Sequence, residues 1–342
     1  MILIISSKSD IHCNPVIDCL RKWQVPFFRV NTDSLLSDYE FSYQLFSGKP
    51  EFFIKNRHNK KCVNLSEVYS VWERRPTSPI CEDIEDSNIR KVVAEELKEL
   101  SWWLRSYGNI KKRLGHHSDD RLNENKLRQL NLAQAISESV EPQVLVPETL
   151  ISNDLSKAFS FIENFADSQR FAVKPISADG LLFDKQSEMV FWTQAVTKSA
   201  LIGHLKNSNP FCPAFIQPYI EKRSELRVTV VGDHVFTCEI DSQSLQPSEG
   251  REDWRKAFKT RVDGCFISTP TCIKNFVLQF NLASGSNFGC FDFIVTPRGE
   301  YFFLECNPNG QWMWLEEDYG APISRAIATF LTSENYHVSI PQ

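Results

Sequence analysis

The chain has 342 residues, more than one compact core usually holds, so two or three domains are expected. Its 42% hydrophobic and 24% charged residues match globular averages and argue against disordered, collagen-like and coiled-coil chains. With 38 basic against 43 acidic residues the net charge is -5, so no whole-surface attraction draws nucleic acid or anionic lipid, and an anionic ligand needs a local cluster of cations.

The opening MILIISSKSD meets a charge at Lys8, too early for a signal-peptide core or a membrane span, and a cytoplasmic chain with no membrane or nucleic-acid partner is expected. MILIIS reads as a buried strand, residues 12–24 as a helix interrupted early by Pro15, and VPFFRVN as a second strand, the start of an open α/β sheet. FSYQLFSGKPEFFIK has the alternating aromatics of a hairpin turning at Ser47 to Pro50, and VYSVWERR is the next strand. Val92, Val93, Leu97, Leu100 and Leu104 recur at helical spacing and predict a helix from Ser87 to Tyr107. Residues 108–121, with Gly108, Gly115, an acidic pair and the doublet His116–His117, form the best linker; polar neighbours make the doublet a solvated loop rather than a metal site.

A polar helix follows from Leu122 to Glu138, then the proline-bearing hinge VEPQVLVPETL, a helix near Leu155 to Phe165, the strands RFAVKPI and EMVFWT, and a short helix from Lys198. The last segment is rich in strands (AFIQPYI, LRVTVVG, HVFTCEI, FGCFDFIVT, EYFFLECN), with helices over Cys272 to Leu282 and Ile323 to Leu331, which predicts an antiparallel sheet covered by helices on one face. Ten cysteines lie scattered without C-x-x-C or Cys/His spacing, so they read as reduced thiols.

No Walker loop, dinucleotide fingerprint, G-x-S-x-G or H-E-x-x-H occurs, so those chemistries lose their usual supports. A pair of strands near the end carries the stronger signal. If Pro297 to Glu300 form the loop between FGCFDFIVT and YFFLECN, Thr296 pairs with Tyr301 and Asp292 falls opposite Glu305, with Asn307 on the same face. Facing carboxylates destabilise a ladder unless a cation neutralises them, and an all-oxygen set suits a hard ion such as Mg²⁺. The alternative is a pair of solvent-facing strand acids, although Phe, Cys and Leu hem the trio in. Lys174, in an apolar strand before a proline, needs an anion, and a phosphate would serve. Lys126 taken alone is an ordinary helix-surface lysine. At the end of an open α/β strand, Arg74 and Arg75 either reach a cleft and fork onto a carboxylate or form an exposed pair answered by nearby acids.

In order along the chain, N-K-x-x-Q-x-x-x-A (125–133), K-P (174–175), Q-x-Y-I (217–220), E-L-R-V-T-V-V-G (225–232), F-D-F (291–293) and E-C-N-P (305–308) resemble the ATP-grasp superfamily over roughly residues 122–331. The V-W-E-R-R-P at 71–76, D-W-R at 253–255 and S-Q at 242–243 narrow the resemblance to the graspetide synthetases, the microviridin-type macrocyclases. It implies an α/β (α+β) ATP-grasp fold: an N-terminal open α/β pre-ATP-grasp domain at 1–115, a central small domain with a lid at 122–220, and a C-terminal antiparallel-sheet domain with the metal site at 221–342. It further implies that Lys126 and Lys174 hold ATP phosphates, Gln217, Tyr219 and Ile220 meet the adenine, Glu225 takes the ribose, and Asp292, Glu305 and Asn307 bind Mg²⁺. Arg227 would steady an acyl phosphate with Arg255 beside it, and Arg74 and Arg75 would meet acidic side chains of a ribosomally made precursor peptide with leader and core.

The activity so implied is ligation of Asp or Glu side chains to Ser, Thr or Lys side chains, by a homodimer as among relatives. Two other readings stand beside it: a ligase adding free amino acids to a peptide or protein carboxylate, as ribosomal-protein glutamyl ligases do, and a non-catalytic ATP-binding module. The chain departs from the family pattern at Pro218, where an acidic residue is usual and a backbone donor is lost, and at Thr197 to Ala200, where relatives carry the acidic pair that grips the leader. The loop from Ser177 to Ser187 has one glycine and an apolar centre at Leu181 to Phe183, which reads as an apolar lid or a buried hairpin tip.

Overall fold

The computed structural model describes residues 1–107, 110–115, 123–176, 181–184, 187–189, 193–207, 212–246, 250–257 and 262–332. His116, His117 and most of the Ser177–Ser187 lid lie outside the described residues, as do 190–192 of the expected EMVFWT strand.

The first segment runs β1 (Ile2–Ser6), α1 (Cys13–Lys22), β2 (Phe27–Asn31), α2 (Leu35–Asp38), β3 (Tyr39–Phe46), β4 (Lys49–Asn56), β5 (Cys62–Asn64), β6 (Ser70–Glu73), α3 (Ser87–Ser106) and β7 (Lys112–Leu114). β2, β1, β6 and β7 form a parallel sheet in that order. Burial on both faces explains why β1 is apolar from Ile2 to Ile5. The expected hairpin is β3–β4, closed by Ser47 and Gly48 with φ of 51° and 75°, the positive pair that a tight two-residue turn requires. One expectation is corrected here. Lys112 to Leu114, inside the presumed linker, are an edge strand, and Leu114 is buried in the core.

The middle segment contains α4 (Lys126–Ser137), β8 (Val144–Leu145), β9 (Leu150–Ser152), α5 (Leu155–Glu163), β10 (Arg170–Lys174), β11 (Leu181–Asp184), β12 (Ser187–Met189), β13 (Gln194–Thr197), α6 (Lys198–Asn207) and β14 (Ala214–Pro218). The antiparallel sheet β13-β10-β14-β9 lays Phe171 and Ile216 on Ala158 and Ile162 of α5 and Leu201 and Leu205 of α6. AFIQPYI therefore belongs to this sheet and not to the last one. The hinge reading is likewise corrected, because β8 pairs in parallel with the final strand of the large sheet and α4 packs beneath that sheet.

The last segment consists of β15 (Ser224–Val231), β16 (His234–Ile240), β17 (Gly264–Ile267), α7 (Thr271–Ser284), β18 (Phe288–Val295), β19 (Tyr301–Asn307), α8 (Met313–Tyr319) and α9 (Ile323–Thr332). The sheet order is β17-β16-β15-β18-β19-β8. Leu226, Val228, Val230, Phe291, Phe293 and Phe303 bury one face against α4 and α7. Helices were expected on that face alone, yet the other is half covered as well: Val231, Phe288 and Cys290 share a core with Trp312, α9 and the first segment's Ile2, Ile4, Leu20 and Trp72. The uncovered half of that face carries Glu225, Arg227, Asp292 and Glu305, charges too costly to seal beneath an apolar helix, and it forms the floor of a cleft.

Candidate active site

The cleft holds about 550 Å³ between the middle and last sheets, with Arg75, Pro76 and Thr77 of the first segment at its edge. Its floor is the β18–β19 hairpin. Asp292 does pair with Glu305, but by a route the sequence did not predict. Val295, not Thr296, faces Tyr301, and the Thr296 amide donates to Glu300 O within a longer loop. A bulge at Leu304 then restores the expected register. Its consequence is chemical: Phe303 stays in the core while Glu305, two residues on, turns into the cleft, which an unbroken strand does not allow.

In this cleft four acids already have a cation. Arg227 Nη1 donates to both oxygens of Asp292 (3.0 and 2.9 Å), and Lys222 Nζ pairs with Glu225 (2.7 Å). Arg255 grips Asp253 (2.8 Å) and Glu305 (2.9 Å), and Lys126 Nζ lies 3.8 Å from Glu305 while donating to Pro175 O (2.9 Å). Burial alone would raise Glu305, yet Arg255, Lys126 and Lys174 hold it below the usual carboxylate range. Burial lifts Asp292 and Glu225 above theirs despite their partners. Lys174 stands apart. It makes no ion pair among the described residues, its ammonium lies 4.8 Å from the Phe215 ring centre, and burial lowers its pKa to about 8.

At the apolar side are Pro147, Ala172, Gln217 to Ile220 and Ile294. Gln217 Nε2 donates to Thr149 Oγ1 (2.7 Å), and Arg170 stacks on the Tyr219 ring at 4.6 Å. Of the two N-terminal arginines, the structure brings only Arg75 to the cleft. Arg75 adopts φ 44°, an uncommon backbone for a non-glycine residue, and its Nε donates to Asn309 O (3.0 Å). Arg74 is 1% exposed, ion-paired to Asp10 (3.1 Å) and bonded to the carbonyls of Asn309 and Gly310. The expected peptide contact is not open to Arg74 in this arrangement, because its guanidinium is buried between the Asp10 carboxylate and the carbonyls of Asn309 and Gly310.

The profile of the MvdD pre-ATP grasp domain matches residues 1–121. Among solved structures, a RiPP-associated ATP-grasp ligase of Chryseobacterium gregarium, in complex with ADP and a leader and core peptide, is 26% identical and superposes with a TM-score of 0.85 over 98% of this chain and 97% of its own. Macrocyclase MdnB of Microcystis aeruginosa MRC is 27% identical, with a TM-score of 0.69 over 96% and 98%. Macrocyclase MdnC of the same organism, bound with precursor peptide MdnA, is 30% identical, with a TM-score of 0.77 over 97% and 99%. The chain belongs to the graspetide synthetases of the ATP-grasp fold. No curated protein sequence matches it.

Within this graspetide synthetase the departures from the family pattern have local explanations. The Tyr219 amide bonds back to Arg170 O on β10, so the Pro218 nitrogen faces the other side, where β9 has already ended at its pairing with Ile216, and no ladder bond is lost. Thr197 Oγ1 accepts the Ala200 amide (3.2 Å) at the start of α6, and Lys198 Nζ is tied to Phe165 O and Asp167. Lys222, Asp253 and Gln129 were not foreseen. Gln129 bonds both the N–H and the C=O of Cys306, fixing the backbone between Glu305 and Asn307. Its signal was present: a polar residue at the buried face of α4, beside Ala133 in the same motif.

Proposed function

We propose that this graspetide synthetase is an ATP-dependent ligase that crosslinks side chains of a ribosomally made precursor peptide. A peptide carboxylate takes the γ-phosphoryl group of ATP, releasing ADP, and a Ser, Thr or Lys side chain then attacks the acyl carbon and expels phosphate, for a net loss of one water per ring. The reading rests on one observation: a cross-strand carboxylate pair with an amide beside it, surrounded by lysines and arginines in one cleft. Phosphoryl transfer needs positioning and charge balance more than a covalent nucleophile, and these residues supply both. The peptide bound to MdnC and the ADP and peptides bound to the Chryseobacterium ligase support substrates of the same classes.

In this reading Lys126 and Lys174 take phosphate oxygens, Gln217, Tyr219 and Ile220 border the adenine, and Glu225 takes the ribose. Arg227 and Arg255 steady the acyl phosphate. Asp292, Glu305 and Asn307 would hold Mg²⁺, which when bound neutralises phosphate charge. Their hard oxygen donors fit such an ion. Arg75, strained and at the cleft mouth, is the contact we propose for the substrate carboxylate. Segments 1–115, 122–220 and 221–342 are its working units, with α4 and β8 docked on the third.

We further infer a homodimer acting in a reducing cytoplasm, supported by exposed Tyr43, Leu45, Phe46, Ile89 and Val92 on the first segment and by the free cysteines. No helix among the described residues is long and apolar enough to cross a membrane. The test is mass spectrometry of a short precursor, rich in Ser, Thr or Lys and in Asp or Glu, after incubation with enzyme, ATP and Mg²⁺. Loss of one water per ring is expected. A mass increase with added free amino acid would favour the amino-acid ligase, and nucleotide binding with no mass change would favour the gating module.

A further inference from the structure

We propose that Arg74 is a positioning residue for the phosphate site, acting from the first segment through the turn that follows β19. The inference rests on the nucleotide reading above. Arg74 Nη1 donates to Asn309 O (2.8 Å) and Gly310 O (2.9 Å), and Arg227 Nη2 donates to the next carbonyl, Gln311 O (3.2 Å). Three successive carbonyls are thus held by guanidinium groups from the first and last segments.

The same turn fixes two site residues. The Asn309 amide donates to Asn307 Oδ1 (2.9 Å) and the Gly310 amide to Asn307 O (3.2 Å), so the Asn307 side chain is oriented by the residue whose carbonyl Arg74 holds, and its backbone oxygen by the peptide that follows. Gly310 lies so close to Cys290 and Arg227 that an added Cβ would stand 2.3 Å from Cys290 Cβ and 2.9 Å from Arg227 Nη2. Any movement of the turn therefore disturbs the guanidinium that grips Asp292. Arg74 is itself anchored: Asp10 Oδ2 lies 3.1 Å from its Nε, and Asp10 Oδ1 accepts the His12 amide (2.9 Å) just before α1. A buried arginine fixed at both ends is a strut, and it lets the first segment set the geometry of a site built on the last.

The test compares wild type, Arg74→Ala and Arg74→Lys by calorimetric ADP binding across a Mg²⁺ titration, by thermal melting, and by steady-state kinetics with a precursor peptide. Arg74→Ala is expected to weaken Mg²⁺-dependent ADP binding about tenfold and raise the Mg²⁺ needed for half-saturation, with Arg74→Lys recovering part of the loss. A lower melting temperature with wild-type ADP and Mg²⁺ dependence would reduce Arg74 to a structural residue and overturn the proposal. Should Arg74→Ala not fold, Asp10→Asn loosens the anchor while retaining Arg74. The same shift is expected in it and in Arg74→Lys, and wild-type binding in both overturns the proposal. Failure of the wild type to bind ADP at any Mg²⁺ concentration would instead remove the nucleotide reading on which the strut depends.

Discussion

Lys174 offers the sharpest test, because burial perturbs it and it makes no ion pair among the described residues. Burial lowers its pKa from 10.5 to about 8, so near pH 8 about half of the empty protein carries it neutral. The unfolded chain still holds that proton between the two values. Folding stability therefore rises with pH across this window, and at lower pH the buried ammonium costs at most about 3 kcal/mol. A phosphate placed beside Lys174 reverses the effect by favouring the ammonium. Nucleotide binding should then take up about half a proton near pH 8 and close to one near pH 9, and affinity should fall about tenfold per pH unit until the bound pKa is reached. Calorimetry of ADP with Mg²⁺ in two buffers of different ionisation enthalpy reads the uptake directly. Lys174→Met should bind more weakly and show none of it. Equal apparent enthalpies in the two buffers near pH 9, or the same uptake in Lys174→Met, would remove Lys174 from the phosphate site.

Two further variants test the floor of the cleft. Asp292→Asn leaves Arg227 buried without its counter-ion and should cost about 3–5 kcal/mol in urea denaturation, whereas the double change Asp292→Leu with Arg227→Met should regain most of that stability and none of the turnover; additive losses would contradict the pairing. Gly310→Ala should destabilise by about 1–3 kcal/mol and depress kcat, since its methyl group has no room against Cys290, and a variant with wild-type melting and turnover would show that the turn yields freely.

The parts of this fold legible in the sequence were those governed by local rules. The apolar run of β1, the Ser47–Gly48 turn and the alternation of β15 each carry their own periodicity, and each forms where expected. Short strands carry no such signal. β7 and β8 have three and two residues and exist because a neighbouring edge offers hydrogen bonds, so a reading by composition assigned them to a linker and a hinge. Pairing of Asp292 with Glu305 was legible, while the bulge at Leu304 was not, because what demands it is the volume Phe303 fills between Phe276, Phe280 and Phe293. Arg74 and Arg75 are adjacent in sequence and opposite in fate, a difference set by the Asp10 carboxylate reached through the fold.

The ion pairs of the cleft bear on what it accepts. Asp292, Glu225, Asp253 and Glu305 are each met by a cation, Arg255 serving two of them, and with Lys126 3.8 Å from Glu305 four acids face four cations. A triphosphate entering alone adds anions to carboxylates already sharing their cations, and a divalent cation entering alone must displace a guanidinium that then has no counter-ion. Each event leaves buried charge uncompensated, at a cost of several kcal/mol per ion in a site of low polarity. Arriving together, the phosphate oxygens supply partners for Arg227 and Arg255 while the metal supplies one for Asp292 and Glu305, and the exchange leaves no charge unmatched. Lys174, with no ion pair among the described residues, would gain a partner from a phosphate placed beside it. On this argument metal and nucleotide should bind with positive coupling, and the coupling should weaken when the Asp292–Arg227 pair is replaced by apolar residues, because the penalty for entering alone disappears with the pair.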